Sequence, residues 1–451
     1  MPTLRRRRLP DAPARVRTGL GAPFRNVFTA NLSSSLGDGI ARVASPLLAA
    51  RLTDDPFLVS GIAAVSLLPW LFFAIPAGVL LDRVDRRHAL ALANGARTVL
   101  ALGLVALAAT GTLTIWWLYA VVFLYGALET VYDGAIRAVL PSIVRPADLP
   151  RANSRIEAGE ITVQNFLSAP LTSALFAVAV VVPLGTGAAA YAVAGALALF
   201  LPAVAAGEHR TAAVEGAEPA PPWFRQLGDG FRYLWAHPTL RPLWLLSIVV
   251  GLCFSAATAT IVLYVLDVLG VPEAWYGTFL LVGAAGSLVA AAVANPAKER
   301  FGTGPTMAVA NLVSTVVLVL LGLAPLLPGS GAAVAAGAAL FAVSSGAVTV
   351  WNVLVMSLRQ AMIPGRLLGR VHGTWRTLLW GVMPLGAFLG GLLARADLAT
   401  PLVVGGGLGS LVALLGFRFL AGLPDPEDVA RSRTEDRQAS PGWVTVPDAS
   451  S

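Results

Sequence analysis

Cysteine, histidine, lysine and charge in general are scarce in this chain of 451 residues, and each scarcity removes a class of function. The single cysteine, Cys253, excludes an internal disulfide and a cysteine-ligated metal cluster. It stands in an apolar run and is expected to be a small packing residue. The four histidines, His88, His209, His237 and His372, show no metal-ligand spacing, so neither a metal nor another cofactor is expected. Charged residues make up 13% of the chain and hydrophobic residues 56%, with a mean hydropathy of +0.73. Soluble domains carry roughly 25% charged residues. No soluble core absorbs such an excess, so lipid must be the solvent for most of the chain. The 45 glycines and 31 prolines fit that setting, where neighbouring helices re-satisfy freed backbone groups and small residues allow close packing.

What is present is a series of apolar runs. A membrane-spanning helix needs about 20 mainly apolar residues. Runs bounded by charge, proline or glycine predict twelve spans, near 24–50, 57–81, 89–110, 114–138, 157–182, 186–206, 241–267, 274–297, 304–327, 331–357, 370–394 and 399–421. The first run contains Asp38 and Arg42 and lacks a small-residue cleavage site, which predicts a retained helix and no signal peptide. With the N-terminus in the cytoplasm, 28 of the 32 basic residues fall on cytoplasmic segments. This positive-inside bias predicts an inner-membrane protein with both termini cytoplasmic, and it accounts for the net charge of +7 without a nucleic-acid partner.

The halves resemble each other. Ala91 to Asn94 matches Ala308 to Asn311, Pro170-Leu171 matches Pro384-Leu385, Pro146 with Leu149 matches Pro364 with Leu367, and Gly61 matches Gly277. These predict an all-α membrane protein of two pseudo-repeated six-helix halves. The expected organisation is a basic cytoplasmic tail (1–23), a first half (24–206), a linker (207–240), a second half (241–421) and a disordered cytoplasmic tail (422–451). In the linker, Phe224, Leu227, Phe231, Leu234 and Trp235 recur at helical spacing, which predicts an amphipathic helix on the membrane surface.

Between the second and third runs stands Gly78-Val79-Leu80-Leu81-Asp82-Arg83-Val84-Asp85-Arg86-Arg87. Gly78 admits a close helix neighbour, Asp82 suits a helix N-terminus or an arginine partner, and the basic cluster belongs in the cytoplasm. The loop fits G-x-x-x-D-R-x-x-R-R and closely resembles the signature of the Major Facilitator Superfamily. The resemblance implies a Major Facilitator fold working by alternating access. It also implies that Gly78, Asp82, Arg83, Arg86 and Arg87 form a gating latch that does not touch substrate. Asn31, Ser35 and Leu36-Gly37-Asp38, then Arg137 to Pro141, then Arg359-Gln360 through Pro364 to Val371, resemble the subgroup containing enterobactin, macrolide and multidrug exporters. That resemblance covers about residues 24–420. One departure concerns the Gly-Pro-x-x-Gly-Gly pattern common in exporters. Pro170 is flanked by Ala169, Ser173 and Ala174, whereas the glycines stand at Gly386, Gly390 and Gly391 after Pro384.

Polar residues inside the runs form stripes. They are Asn31, Ser34, Ser35, Asp38, Arg42 and Ser45; Tyr125, Glu129, Tyr132 and Asp133; Glu157, Glu160, Gln164, Ser168 and Thr172; and Ser345, Thr349, Asn352 and Met356. A charge at the bilayer centre costs about 2.5–3.5 kcal/mol on the mildest scale, so the stripes must line an interior polar cavity. Asp38, Arg42, Glu129 and Asp133 are the candidates for proton coupling. Against this stand an Asp38–Arg42 pair along one helix, and pairing of Glu129 and Asp133 with Arg97, Arg137 or Arg376. Asn31, Ser35, Tyr125, Tyr132, Gln164, Trp351 and Asn352 are the candidates for the substrate cavity, with Phe254 and Trp380 as further aromatics.

The expected function is secondary active export of a lipophilic small molecule, drug-like or siderophore-like, by a monomer exchanging it for protons across the bilayer. Import on the same scaffold is the alternative. A membrane-embedded transferase would need paired aspartates or a catalytic histidine in a polar pocket, and neither pattern occurs. A sensor would leave the duplication and the interior stripes without purpose. Asp82→Asn should slow exchange between conformations, measured by cysteine accessibility at the two ends of the bundle, with substrate affinity nearly unchanged. A collapse of affinity at unaltered exchange would contradict the latch.

Overall fold

The computed structural model describes residues 20–81, 84–206, 223–429 and 431–432. Asp82 and Arg83 of the expected latch, the linker before Trp223 and most of both tails lie outside the described residues. The described chain is helical. Helices α1 (Gly21–Leu52), α2 (Pro56–Leu81), α3 (Arg86–Ala109) and α4 (Ile115–Ile143) are followed by α5 (Leu149–Ile161). A π-helical stretch, Thr162–Leu167, joins α5 to α6 (Ser168–Val178), and α7 (Val181–Leu199) closes this set. After α8 (Trp223–Ala236), α9 (Leu240–Thr258) breaks and resumes as α10 (Ile261–Leu263) and a π-helical turn, Tyr264–Val268. Then come α11 (Glu273–Phe301), α12 (Thr303–Gly322), α13 (Ser330–Met362), α14 (Gly365–Ala394), α15 (Thr400–Leu415) and α16 (Phe417–Ala421).

Each of the twelve expected runs coincides with helix, and ten helical segments among the described residues are long and apolar enough to cross a membrane. The two exceptions have physical reasons. Helix α1 is long but carries the polar stripe, whose Asn31, Ser34 and Ser35 are buried inside the bundle. Helix α15 is 16 residues long and is followed after Gly416 by α16.

Helices α1–α7 pack on one another, and so do α9–α16. The two sets meet chiefly where α2 lies along α14 and α6 lies along α11. Their apolar cores show how they are arranged. At one end a single core joins both sets, with Val43, Leu47, Leu118 and Phe176 packing with Val262, Tyr264, Tyr276 and Leu318. At the other end there are two separate cores. One holds Phe24, Leu81, Leu90 and Ile136; the other holds Leu234, Trp244, Met307 and Trp375. The sets are therefore fused at one end and parted at the other. The parted end carries the basic loops.

Close approach at the fused end depends on small residues. A Cβ added to Gly277 of α11 would collide with the Ala169 carbonyl of α6, and the Gly277 N–H donates to Ser173 Oγ at 2.7 Å. Gly391 of α14 sits in the same way against Ser60 and Phe57 of α2. Gly386 and Gly390 lie on the backbone of α9, so the glycines after Pro384 serve helix packing.

The chain is fastened at the basic end too. Asp85 caps α3, accepting from the Arg87 N–H at 2.8 Å, and the Arg87 side chain holds the Asp85 carboxyl down to about 2. That cap is fully formed above the unfolded carboxylate value of about 4 and is lost only as pH falls towards 2. Asp425 accepts from the N–H and hydroxyl of Thr303, and Lys298 pairs with Glu427 at 2.7 Å. The start of the C-terminal tail is thus ordered against α12, contrary to the expectation of disorder from residue 422. Residues Trp223–Ala236 of the linker form helix α8. Leu234 is buried in the core of the second set, while Phe231 and Trp235 stack on each other and stay exposed. Asp229 meets Arg370 of α14 at 3.4 Å, which anchors α8 to that set.

Gly277→Leu should force α11 from α6 and destabilise this arrangement by about 1–3 kcal/mol, the usual cost of overpacking. Thermal unfolding in detergent reads the loss. Gly95→Leu, where an added Cβ meets no atom, should leave the midpoint unchanged.

Candidate functional site

The centre of the site is Arg97. It projects from α3 into the first set with 0% of its side chain exposed. An unpaired guanidinium there would be prohibitive, so its surroundings are specified closely. Asp38 of α1 lies 3.3 Å from Arg97 Nη1. Tyr191 of α7 donates its hydroxyl to Asp38 at 2.8 Å. Arg97 also donates to Ser34 Oγ at 3.1 Å, and Ser34 donates to Asn94 at 3.0 Å. The rings of Tyr132 and Tyr191 face the guanidinium at 5.4 and 5.3 Å, in cation–π range. The Nε and Nη2 of Arg97 have no partner among the described residues. The pair is therefore incompletely satisfied.

Asp38 faces two ways. Besides Arg97, it walls a cavity of about 290 Å³ near the fused end. That cavity takes Arg42, Tyr125, Glu129 and Tyr191 from the first set, and Thr258, Ala259, Ile261 and Tyr276 from the second. The break between α9 and α10 is what brings Thr258 and Ala259 to the wall, and interrupted helices are a recurrent device at transporter sites. A second cavity of about 410 Å³ lies towards the basic end, lined by Arg42, Trp70, Glu129, Asp133, Arg137, Glu160, Gln164 and Arg376. Gln164 reaches it from the π-helical stretch between α5 and α6, an irregularity common at functional sites. Arg42 and Glu129, 3.6 Å apart, line both cavities and partition them.

The charge pairing differs from the expected Asp38–Arg42 pair along α1. Asp38 goes to Arg97 and Arg42 to Glu129, because a fully buried guanidinium needs the nearer carboxylate while the exposed Arg42 reaches across the cavity. The structure brings Asp38, Arg42, Tyr125, Glu129, Asp133 and Gln164 to the cavities. It does not bring Asn31, Ser35, Tyr132, Trp351 or Asn352 to either wall. Asn31 is buried and donates to Glu160 at 2.9 Å, and Tyr132 is buried against it. Ser35 is buried in the packing of α1. Trp351 packs on the core of the second set, and Asn352 is exposed outside both walls. Helical spacing shows a shared face, yet that face is divided between neighbouring helices and the cavity. Tyr191, Trp70 and Tyr276 were not singled out from the sequence, although Arg97 alone in an apolar run signals a buried partner. Of the described latch residues, Gly78 lies in the last turns of α2. Arg86 donates to the Ala138 carbonyl and Arg87 to that of Leu201, both within the first set.

The fused end is tied across the sets by two ion pairs. Arg51 of α1 binds both oxygens of Glu273 at the start of α11. Arg395 after α14 binds both oxygens of Asp55 before α2, at 2.9 and 2.6 Å. Arg395 holds the Asp55 carboxyl below its usual range.

Two helix sets fused at one end, with a polar cavity opening between them at the other, define a membrane transporter of the Major Facilitator type. Solved structures agree on the fold. A variant of the nucleoside transporter NupG superposes with a TM-score of 0.72 at 13% identity, covering 88% of this chain and 100% of that one. A bacterial homologue of the iron transporter ferroportin in its inward-facing state gives 0.67 at 15% identity, covering 88% and 98%. The sequence profile of the transmembrane secretion effector family matches residues 17–440, and the chain belongs to that family. Curated relatives include proteins named enterobactin exporter EntS from Shigella boydii serotype 4 (strain Sb227) and Escherichia coli O139:H28 (strain E24377A / ETEC). Each is 27% identical over 419 residues, covering 88% of this chain and 91% of the relative. The family and these relatives are transporters.

Asp55→Asn combined with Arg51→Gln should loosen the fused end. Exposed pairs contribute about 0.2–1 kcal/mol each, so a several-fold rise in labelling of a cysteine placed at Val262 is expected. Unchanged labelling would show that the apolar core alone holds this end.

Proposed function

We propose that this protein exports a lipophilic small molecule, drug-like or a siderophore, from the cytoplasm across the inner membrane by proton antiport. The basic end then faces the cytoplasm, in keeping with the positive-inside bias, and both termini lie there. On that orientation the structure is the cytoplasm-open state. Helix α1 and the α15–α16 pair complete twelve crossings, and two six-helix halves at 24–206 and 241–421 rock about the cavity as a monomer. The latch from Gly78 to Arg87 governs that exchange. The relatives named as enterobactin exporters support the direction and the cargo class.

The observation that carries the coupling is Asp38, shared between a buried arginine and a cavity wall. Protonation from the cavity would release it from Arg97, and re-pairing would expel the proton. Glu129 and Asp133, along the path towards the basic end, relay it. A buried charge left without its partner costs about 3–5 kcal/mol, so Asp38→Asn alone should weaken folding. The double variant Asp38→Asn with Arg97→Gln removes both charges and should insert and fold while losing coupled export.

The test is accumulation of fluorescent lipophilic compounds and labelled siderophores in efflux-deficient cells, with and without a protonophore. The wild type should lower accumulation several-fold, the protonophore should reverse it, and the double variant should match cells lacking the protein. Protonophore-sensitive export by the double variant at the wild-type rate would overturn the coupling assignment.

A further inference from the structure

The cavity at the basic end holds two guanidiniums that no described residue pairs with. Among the described residues, neither Arg137 of α4 nor Arg376 of α14 forms an ion pair within 4 Å. Arg376 is the more telling of the two. It is half-buried, and it is the single charged group that the second helix set contributes to the walls of the two cavities. Its position is fixed by aromatic rings. The guanidinium carbon stands 4.3 Å from the Trp380 ring on its own helix and 4.8 Å from the Trp70 ring of α2, across the boundary between the sets. Trp70 and Trp380 meet edge-to-face at 5.8 Å. Ring contacts take the faces of a guanidinium and leave its in-plane N–H donors free. Those donors are therefore held in place beside the cavity with no acceptor among the described residues.

The other charges facing this cavity are already engaged or of the opposite kind. Arg42 is paired with Glu129, and Glu160 accepts from Asn31. Asp133 remains as the one carboxylate on these walls without an ion pair or hydrogen bond.

We propose that Arg376 and Arg137 form an anion-recognition site spanning the two halves, which takes the acidic group of a planar organic anion whose apolar body lies against Trp70. This deepens the export reading and rests on it, since it names the chemical class of the cargo. The planar fork of Arg376 suits a carboxylate or a sulfonate in two-point contact. One guanidinium comes from each half, so the bound anion draws the halves together at the open end. That is the movement a transporter opening here must make after loading. Export of an anion from a negative interior is also favoured by the membrane potential, by about 2.3 kcal/mol per charge per 100 mV.

The test uses full-length protein in lipid nanodiscs and two dyes of one planar xanthene body and opposite charge, fluorescein and rhodamine 123, followed by fluorescence anisotropy. Wild type should bind fluorescein. Arg376→Gln should weaken fluorescein binding at least tenfold and leave rhodamine 123 unchanged or tighter, and Arg137→Gln should act in the same direction by less. Arg376→Lys keeps the charge without the fork and should recover only part of the affinity, which separates loss of recognition from loss of fold. Equal binding of fluorescein by wild type and Arg376→Gln, an equal loss of both dyes, or binding of rhodamine 123 alone would overturn the site. Wild-type export that the protonophore reverses, together with any of those results, would remove this site and leave the export reading standing. Arg376-dependent fluorescein binding without energised export would do the reverse.

Discussion

One buried charge organises the first half of this protein. Arg97 lies in a helix bundle whose outer surface is apolar, with none of its side chain exposed, and lipid offers no compensation. Its charge must be met from within. Asp38 meets it from α1, Tyr191 orients Asp38 from α7, Ser34 accepts from it and in turn donates to Asn94, and two tyrosine rings cover the guanidinium. These partners draw α1, α3, α4 and α7 into one register. The pairing also decides what remains for the cavity. With Asp38 committed to Arg97, Arg42 turns to Glu129, and Asp133 is left facing open space beside Arg137 and Arg376. The chemistry left on the cavity walls is the remainder of one arginine's requirements.

The second half is built differently. Its contribution to the cavities is mostly apolar and aromatic, with Ala259, Ile261, Val262 and Tyr276 beside Thr258 where α9 breaks into α10, plus the one guanidinium on α14. The halves therefore divide the labour. The first carries the titratable groups, and the second carries shape and one fixed positive charge. The fused end binds them through an apolar core and two ion pairs, which the proposed alternating access would have to part. Close contacts at Gly277 and Gly391 are suited to that change, because backbone packed against backbone separates without rearranging long side chains.

Much of this was legible in the sequence. Each apolar run bounded by charge and proline coincides with helix among the described residues, because a chain solvated by lipid has one way to satisfy its backbone, whereas α5 starts at Leu149, ahead of the run expected from residue 157. The polar stripe of α1 announced a cavity, and Asp38, Arg42, Glu129, Asp133 and Gln164 line one. The partners were less legible. Asp38 and Arg42 are four residues apart and look like a pair, whereas Asp38 and Arg97 are joined only because α1 and α3 both pack on α4 and α7. The same packing hides Asn31, Ser35 and Tyr132 from the cavity. Tyr191 sits in a run of small apolar residues that gives no sign of a hydrogen-bonded neighbour. Trp380 stood among the candidate cavity aromatics, but nothing in the sequence pointed to Trp70, which the fold brings with Trp380 onto Arg376.

The central claim is that protonation of the Asp38–Arg97 cluster is coupled to which end of the bundle is open. Spin-label distances across both ends test it most directly. One label pair would stand at Arg145 and Gln360 at the basic end, the other at Thr112 and Ser330 at the fused end, measured at pH 5.5 and pH 8 in lipid nanodiscs. The account predicts that the two distances shift in opposite senses between the two conditions, and that the shift vanishes in the Asp38→Asn, Arg97→Gln double variant. Distances that do not change with pH in the wild type, or that change equally in the double variant, would contradict it.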